Sequence, residues 1–147
     1  MPTAVTDLLR AGCGCLLLVH PEMDRLEDAV AELLKAHEWQ RLAVGRELSA
    51  ALLSEALQHR SLSARRWMRA RIGQVAPGPA VCTEIDLLFD PGLSLDPLRL
   101  FRDLSRTTRL VVAWPGSHQD DVLAYAVPEH SHYRTWRKPE VSVVALE

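Results

Sequence analysis

The sequence predicts a single α/β domain over residues 1–147, a three-layer sandwich around a mainly parallel sheet. Apolar runs of strand length alternate with amphipathic stretches of helix length, which is the pattern of βαβ units. The strand-like runs are apolar on both faces, as expected for parallel strands that helices cover on two sides. A chain of 147 residues suits one such domain and is too short for two of ordinary size.

Strands and helices are predicted along the whole chain, with two strands and three helices in its first half and four strands and one helix in its second. In the first half we predict strands at 15–19 and 41–44 and helices at 24–37, 47–57 and 61–75. In the second half we predict a helix at 97–105 and strands at 80–85, 110–114, 122–127 and 141–146. The Pro-Gly-Pro run 77–79 ends the third helix, and Pro115-Gly116 is expected to stop the strand at 110–114. The sheet therefore has five or six strands.

The composition excludes several classes of protein. Hydrophobic residues make up 48% of the chain and charged residues 24%, so neither disorder nor a membrane span is indicated. Residues 3–10 carry Asp7 and Arg10 within a helical pattern, unlike a secretion signal, so we expect a cytoplasmic protein without a membrane partner. The net charge of −2 gives no general attraction to nucleic acid, so any such binding needs a local patch.

Residues 80–93, AVCTEIDLLFDPGL, resemble the second nucleotide motif of AAA-type ATPases. In that motif an apolar strand ends in an aspartate that helps to hold magnesium, and a catalytic glutamate follows. Here the run 84–89 matches the downstream half, but Thr83 stands at the place of the magnesium aspartate. A hydroxyl lacks the charge that favours a hard divalent cation. If the chain is an active ATPase, Glu84 and Asp86 are the candidate catalytic residues.

Residues 15–30, CLLLVHPEMDRLEDAV, have the strand–loop–helix layout of a phosphate-binding loop without its glycines or its lysine. Pro21 removes one N–H donor, and Asp24 and Glu27 are spaced like a capping box that would occupy further donors. We therefore expect triphosphates to be repelled and no cofactor to be bound. No metal site is expected either, because the cysteines and the histidines of 130–133 lack ligand spacing.

With these motifs in view, the chain from about residue 16 onward resembles the BrxF family, P-loop-like proteins of type 3 bacteriophage-exclusion (BREX) defence systems. The most specific runs are EIDLLFDPGLSLDPLRLFRDLSRTTRLVVAWPG at 84–116 and LAYAVPEHSHYRTW at 123–136. Matching positions are Asp96-Pro97-Leu98, Ser105-Arg106, Trp114 to Gly116, Tyr125-Ala126, and His130 with Tyr133. The resemblance implies a P-loop NTPase fold and a role in restricting phage beside a large ATPase, a methyltransferase and a phosphatase-like component.

Several exposed side chains are candidates for contact with nucleic acid or a partner. Arg65, Arg66 and Arg69 share one side of a predicted helix and suit phosphates or an acidic surface, although a solvated face is the simpler interpretation. The remaining candidates are Arg106 and Arg109 as fingers toward a neighbour's nucleotide, and Tyr133 and Trp136 as a contact surface.

The sequence thus predicts a P-loop NTPase-like domain with degenerate nucleotide motifs. Its predicted function is that of a non-hydrolysing accessory component of a BREX complex, acting through contacts with other BREX proteins such as the large ATPase. Two alternatives remain open: an atypical ATPase that uses Glu84 and Asp86, and a DNA-binding subunit that uses the arginine-rich helix. Self-association is also compatible with the sequence.

Overall fold

A computed structural model of the chain describes residues 2–11 and 14–147. Its strands are β1 (Cys15–His20), β2 (Gln40–Ala43), β3 (Ala80–Thr83), β4 (Leu110–Gln119), β5 (Val122–Tyr125), β6 (Arg134–Arg137) and β7 (Ser142–Ala145). Five of them form a parallel sheet in the order β2-β3-β4-β1-β7. β5 and β6 extend β4 as an antiparallel hairpin. The predicted α/β fold with a mainly parallel sheet is confirmed, with seven strands rather than five or six.

Helices cover the sheet on both faces. They are α1 (Pro2–Ala11), α2 (Met23–Ala36), α3 (Val44–Leu52), α4 (Arg60–Gly73) and α5 (Pro97–Leu104). α1 and α2 pack on one face, and α3, α4 and α5 pack on the other with the hairpin. None of these helices, within the part of the chain that the structure describes, is both long and apolar enough to cross a membrane.

β1 shows why its sequence is apolar throughout. Leu16 and Leu18 belong to the core under α1 and α2, whereas Leu17 and Val19 belong to the core under α3, α4 and α5. Alternate side chains of a strand point to opposite faces, so a strand between two helix layers needs an apolar residue at every position. The helix α4 places Ala64, Met68 and Ile72 in the core as the spacing predicted, while Val75 is half-buried beyond the helix.

The helix predicted at 47–57 lies earlier, at Val44–Leu52. β2 ends at Ala43 and the helix begins at the next residue, so no loop separates them. Glu47 holds this junction, because one of its carboxylate oxygens accepts the Ala43 N–H at 3.1 Å and the other accepts Arg71 Nε at 2.9 Å. The strand end and α4 together fix where α3 starts, which local periodicity did not reveal.

The prediction that Pro115-Gly116 stops the strand was wrong. β4 runs through both residues to Gln119 and turns into β5. Proline lacks only the donor, and its carbonyl accepts the Ala126 N–H at 2.8 Å. At Gly116 a Cβ would overlap the Ala124 carbonyl oxygen, so only glycine allows the two strands to approach here. β6 was missed because its sequence, RTWR, is mostly polar and exposed.

Candidate functional site

The carboxyl ends of β1, β3 and β4 meet at one edge of the parallel sheet. β1 lies between β4 and β7. The chain leaves β1 toward β2 at the far edge on the β4 side, and it returns at its end to add β7 on the opposite side of β1. Open α/β sheets bind ligands at such a point, outside the carboxyl ends of the strands. This edge is therefore where a nucleotide would be expected.

The connection from β1 to α2 consists of only two residues, Pro21 and Glu22. The Glu22 N–H donates to Nδ1 of His20 at 2.9 Å, and Pro21 has no N–H to offer. Glu22 and Asp24 are exposed at the start of α2 and place negative charge there. A phosphate loop needs several free N–H groups and a cation, and this short acidic connection supplies neither.

The predicted capping box at Asp24 and Glu27 does not form. α2 begins at Met23, its N-cap is Glu22, and no side chain caps it. Glu27 instead binds Arg41, whose NH2 group lies 2.9 Å from each carboxylate oxygen. The helix starts two residues earlier than a box at Asp24 requires, and Arg41 from β2 binds the Glu27 carboxylate that would have closed the box.

Glu84, the candidate general base, follows β3 directly. The strand predicted at 80–85 ends at Thr83, and Glu84 adopts the left-handed conformation with φ of 55°. Both Nε and NH2 of Arg46 lie 3.0 Å from one Glu84 carboxylate oxygen, and the Glu84 side chain is 31% exposed. This ion pair occupies the oxygen that would otherwise face an attacking water.

Asp86 is tied to the hairpin. Its Oδ1 accepts the Tyr125 hydroxyl at 2.6 Å, and the Tyr125 ring stacks on Phe89 with a centroid distance of 3.6 Å. Burial, followed by the hydrogen bond to Asp86, raises the pKa of Tyr125 above its usual range. Thr83, at the place of the magnesium aspartate, is fully buried and directs its hydroxyl toward the Leu42 carbonyl at 3.5 Å.

Aromatic rings fill the space beside this edge. Phe89 meets Trp114 edge to face at 5.0 Å, and Trp136 lies 5.3 Å from Trp114. Trp114 is fully buried and its Nε1 donates to the Ala124 carbonyl at 3.0 Å, which satisfies the buried donor. The hairpin therefore packs over this side of the sheet.

A second candidate site surrounds α5. Three adjoining cavities of about 420, 360 and 280 Å³ share lining residues and form what we call the arginine groove. Its arginine and aromatic lining consists of Arg65, Arg69, Arg99, Arg102, Arg106, Arg134, Tyr133, Trp136, Phe89 and His132. Five of the seven contact residues predicted from the sequence lie in this groove. It joins α4, α5 and the strand β6, which are far apart along the chain.

The other two predicted contact residues lie outside the groove. Arg66 is exposed on α4 but lines none of the three cavities. Arg109 donates to the carbonyls of Leu9 and Gly78, each at 2.9 Å, and to that of Pro77 at 3.4 Å. These bonds tie the end of α1 and the turn before β3 to the start of β4. The engagement favours a structural role for Arg109 over that of an arginine finger.

Sequence reasoning missed Arg99, Arg102 and Arg134 as members of the groove. Arg99 and Arg102 are three residues apart on α5, which places them on neighbouring positions of one helix face, and this spacing was visible in the sequence. Arg134 had no such signal. It donates to the Leu95 carbonyl at 2.7 Å, and its guanidinium lies 4.9 Å over the Trp136 ring.

The acidic residues of the groove are engaged. Asp96 caps α5 by accepting the Arg99 N–H at 3.2 Å, and the same oxygen accepts Trp136 Nε1 at 3.0 Å. Asp103 lies 3.7 Å from Arg106 in an ion pair along the helix. Arg102 pairs with Glu140 at 3.0 Å. Arg65, Arg69 and Arg99 have no side-chain hydrogen bond or ion pair with any residue that the structure describes.

Another cavity, of about 710 Å³, lies between the start of β1, the end of α5 and the tip of the hairpin. His118 and Asp121 line it, with His118 Nε2 3.9 Å from the carboxylate. Across residues 2–11 and 14–147, no cluster of three or more histidine, cysteine or acidic side chains is arranged to hold a metal ion.

Comparison of the chain with protein-family models, curated protein sequences and solved structures gives no significant match.

Proposed function

We propose that the protein is a non-hydrolysing accessory subunit of a BREX-type anti-phage complex, built on a P-loop NTPase-like domain. The proposal combines the resemblance of residues 84–116 and 123–136 to the BrxF family with the geometry at the carboxyl edge of the sheet. In this fold the connection from the first strand to the following helix would carry the phosphate loop. The parallel order β2-β3-β4-β1-β7 supports that assignment.

The observation that carries the proposal is the β1–α2 connection. The two-residue connection supplies no free donor of its own, because the Glu22 N–H donates to His20 and Pro21 has no N–H, and it contains no glycine that would let further N–H groups turn toward a β- or γ-phosphate. Exposed Glu22 and Asp24 add repulsion at the position where a lysine would otherwise neutralise the phosphates. Losing two or three such contacts weakens binding by orders of magnitude, since about 1.4 kcal/mol corresponds to a factor of ten.

The two candidate catalytic carboxylates support the same conclusion. Glu84 is held by Arg46 and Asp86 by Tyr125, so activating a water would require one of these interactions to break. The atypical ATPase is the alternative from the enzyme class. It requires that Glu84 leave Arg46 and that Asp86 take over the magnesium contact from the position of Thr83.

Calorimetric titration with ATP and Mg²⁺, together with a phosphate-release assay, tests the non-hydrolysing assignment. We expect no saturable heat at micromolar nucleotide and no release above the rate without protein. Micromolar binding with turnover that Glu84→Gln or Asp86→Asn abolishes would establish the ATPase alternative and overturn the proposal.

The accessory role predicts a surface for a protein partner. Leu53 and Leu57 are 81% and 74% exposed in the connection between α3 and α4. Large apolar side chains exposed to this extent mark interaction sites when they are close together. We propose that this connection contacts another BREX component, the large ATPase being the first candidate.

Co-expression of the tagged chain with the large ATPase component of its own defence system tests the partner. We expect the two proteins to co-purify in a fixed ratio and the complex to be lost with Leu53→Ser/Leu57→Ser. Leu9→Ser, at an exposed leucine on α1 on the other face of the sheet, is the matched control and should leave the complex intact. Failure of the wild-type chain to co-purify with any BREX component would contradict the accessory role.

A further inference from the structure

We infer that the arginine groove binds the sugar–phosphate backbone of a nucleic acid strand, with Arg65, Arg69 and Arg99 as the phosphate ligands. This inference goes beyond the accessory function and does not depend on it. The arginine-rich helix alone suggested DNA binding through Arg65, Arg66 and Arg69. In the structure Arg99, and not Arg66, lines a cavity with Arg65 and Arg69. The inferred site is therefore a cleft between two helices and not the face of one helix.

The three cations converge from separate elements. Arg65 and Arg69 are one turn apart on α4, so they occupy the same side of that helix. Arg99 lies in the first turn of α5 and lines the same cavity of about 420 Å³. Like charges placed together cost free energy in the absence of an anion, and guanidinium groups bind phosphate oxygens in a bidentate manner. The cleft is therefore complementary to phosphate.

Two carboxylates, Asp96 and Asp103, line the same cavity and lower its positive potential without forming ion pairs with the three arginines. Asp96 is held by the Arg99 backbone and by Trp136, and Asp103 pairs with Arg106 within α5. Neither forms an ion pair with Arg65, Arg69 or Arg99 in the described part of the chain. The three guanidinium groups therefore keep their hydrogen-bond donors free for an anion from outside the domain.

The lining favours a nucleic acid over a protein partner. A protein interface also uses arginine and aromatic residues, but it sets them in an apolar centre from which Asp, Glu and Lys are depleted. Here Leu95 and Leu104 are buried, and the charged lining consists of Arg65, Arg69 and Arg99 together with Asp96 and Asp103. The exposed leucines Leu53 and Leu57 line no part of the groove. A phosphate backbone needs positive charge and no apolar anchor.

The groove also extends along α5 and offers cationic side chains to more than one phosphate. Arg99 lines both the first and the second cavity, and Arg106 and Trp136 follow in the second. The third cavity contains Tyr133, which is 38% exposed and belongs to the segment leading into β6. Proteins that bind single strands combine a basic track with aromatic rings for base stacking. Tyr133 supplies the accessible ring here, since Arg134 lies over Trp136.

Fluorescence anisotropy with a labelled 20-nucleotide single strand tests the inference. We expect saturable binding by the wild-type protein at about 50 mM salt and an affinity at least tenfold weaker for Arg65→Ala/Arg69→Ala/Arg99→Ala. Removing three phosphate contacts should also reduce the slope of log K against log salt by about 2, at roughly 0.7 per contact for a single strand. These side chains have no partners among the described residues, so the variant should fold.

Two further variants test whether binding depends on the groove arginines or on the overall positive charge of the protein. Arg10→Ala/Arg25→Ala/Lys35→Ala removes three positive charges from α1 and α2, on the opposite face of the sheet, and should leave the affinity unchanged. Arg65→Lys/Arg69→Lys/Arg99→Lys keeps the charge and should retain most of the salt dependence. An equal loss of affinity in the α1–α2 variant and the groove variant would overturn the inference.

Competition with other polyanions tests whether the ligand is a nucleic acid. Unlabelled single strand should displace the probe, whereas polyglutamate of equal charge should not. Displacement by polyglutamate, or by inorganic polyphosphate, at lower concentration than by the unlabelled strand would contradict a nucleic acid ligand. Absence of binding by the wild-type protein at 50 mM salt would do the same.

Discussion

The Tyr125 hydroxyl donates a hydrogen bond to Asp86 Oδ1 at 2.6 Å. This bond joins β5 to the turn that follows β3, across 39 residues of sequence, and holds the hairpin against the carboxyl edge of the sheet. The same interaction engages a carboxylate that the sequence offered as a catalytic group. The residue that resembles part of a nucleotide site thus contributes to the packing of the hairpin.

Tyr125→Phe is expected to lower the free energy of unfolding by about 1.5 kcal/mol, since hydrogen bonds to charged groups contribute about that much. The ring remains and keeps its stacking on Phe89. Urea denaturation followed by tryptophan fluorescence measures the change. Tyr133→Phe is the control: Tyr133 is exposed, and a loss of less than 0.5 kcal/mol is expected there, roughly the size of a neutral surface change. Equal losses at both positions would contradict the importance of the bond.

Gly45→Ala is expected to destabilise the protein by about 1–2 kcal/mol. A Cβ at Gly45 would lie 2.9 Å from the Glu84 carbonyl oxygen, and backbone cannot move away as a side-chain end can. Gly73→Ala, in α4, meets nothing within 4 Å and should stabilise by about 0.5 kcal/mol through helix propensity. Thermal unfolding of both variants should give shifts in Tm of opposite sign, and a lower Tm for both would show that the contact is not the cause.

Cys82 gives a prediction for alkaline pH. Burial raises the pKa of its thiol to about 12, whereas an unfolded thiol ionises near pH 8.5. A raised pKa in the folded state means that stability is full below about pH 8.5 and falls as the pH rises toward 12. Cys82→Ala should reduce this fall by up to about 1.4 kcal/mol per pH unit. Urea titrations of both proteins at several pH values between 8 and 11 measure it, and identical pH profiles would refute the assignment.

Arg109→Ala is expected to cost about 2 kcal/mol, because its guanidinium supplies bonds to the Leu9, Gly78 and Pro77 carbonyls. Hydrogen exchange in α1 should increase in this variant, since the Leu9 contact attaches that helix to β4. Arg66→Ala removes an exposed arginine without a partner in the described structure and serves as the control, with a change below about 0.5 kcal/mol. If Arg109→Ala were as stable as the wild type, the structural role would be wrong and a role as an arginine finger would be favoured.

Local sequence predicted the parallel part of the fold well. The runs at 15–19 and 110–114 became paired strands, and Ala64, Met68 and Ile72 became a buried helix face. These signals are reliable because burial on two faces demands continuous apolar strands and burial of one helix face demands a period near 3.6. β3 ends at Thr83, the position at which the strand of the resembled ATPase motif ends. The hydrophobic pattern had predicted a strand that continues to residue 85.

The sites were less predictable, because their partners come from remote parts of the chain. Arg46 reaches Glu84 across 38 residues, and Trp136 reaches Asp96 across 40. The continuation of β4 through Pro115-Gly116 depends on the carbonyls of β5 and not on the turn propensity of the two residues. Contacts over such sequence separations cannot be predicted from composition or from local residue spacing.

The sequence by itself determined that a parallel sheet lies between two helix layers and that the connection after β1 lacks glycine and lysine, because hydrophobic period and residue chemistry are local properties. Only the tertiary structure decided which charged side chains have partners and which do not. Asp86, Glu84 and Arg109 found partners at long sequence separation. Arg65, Arg69 and Arg99 line one cleft and have no partner among residues 2–11 and 14–147. Electrostatic energy depends on distance in space, and the fold alone sets that distance.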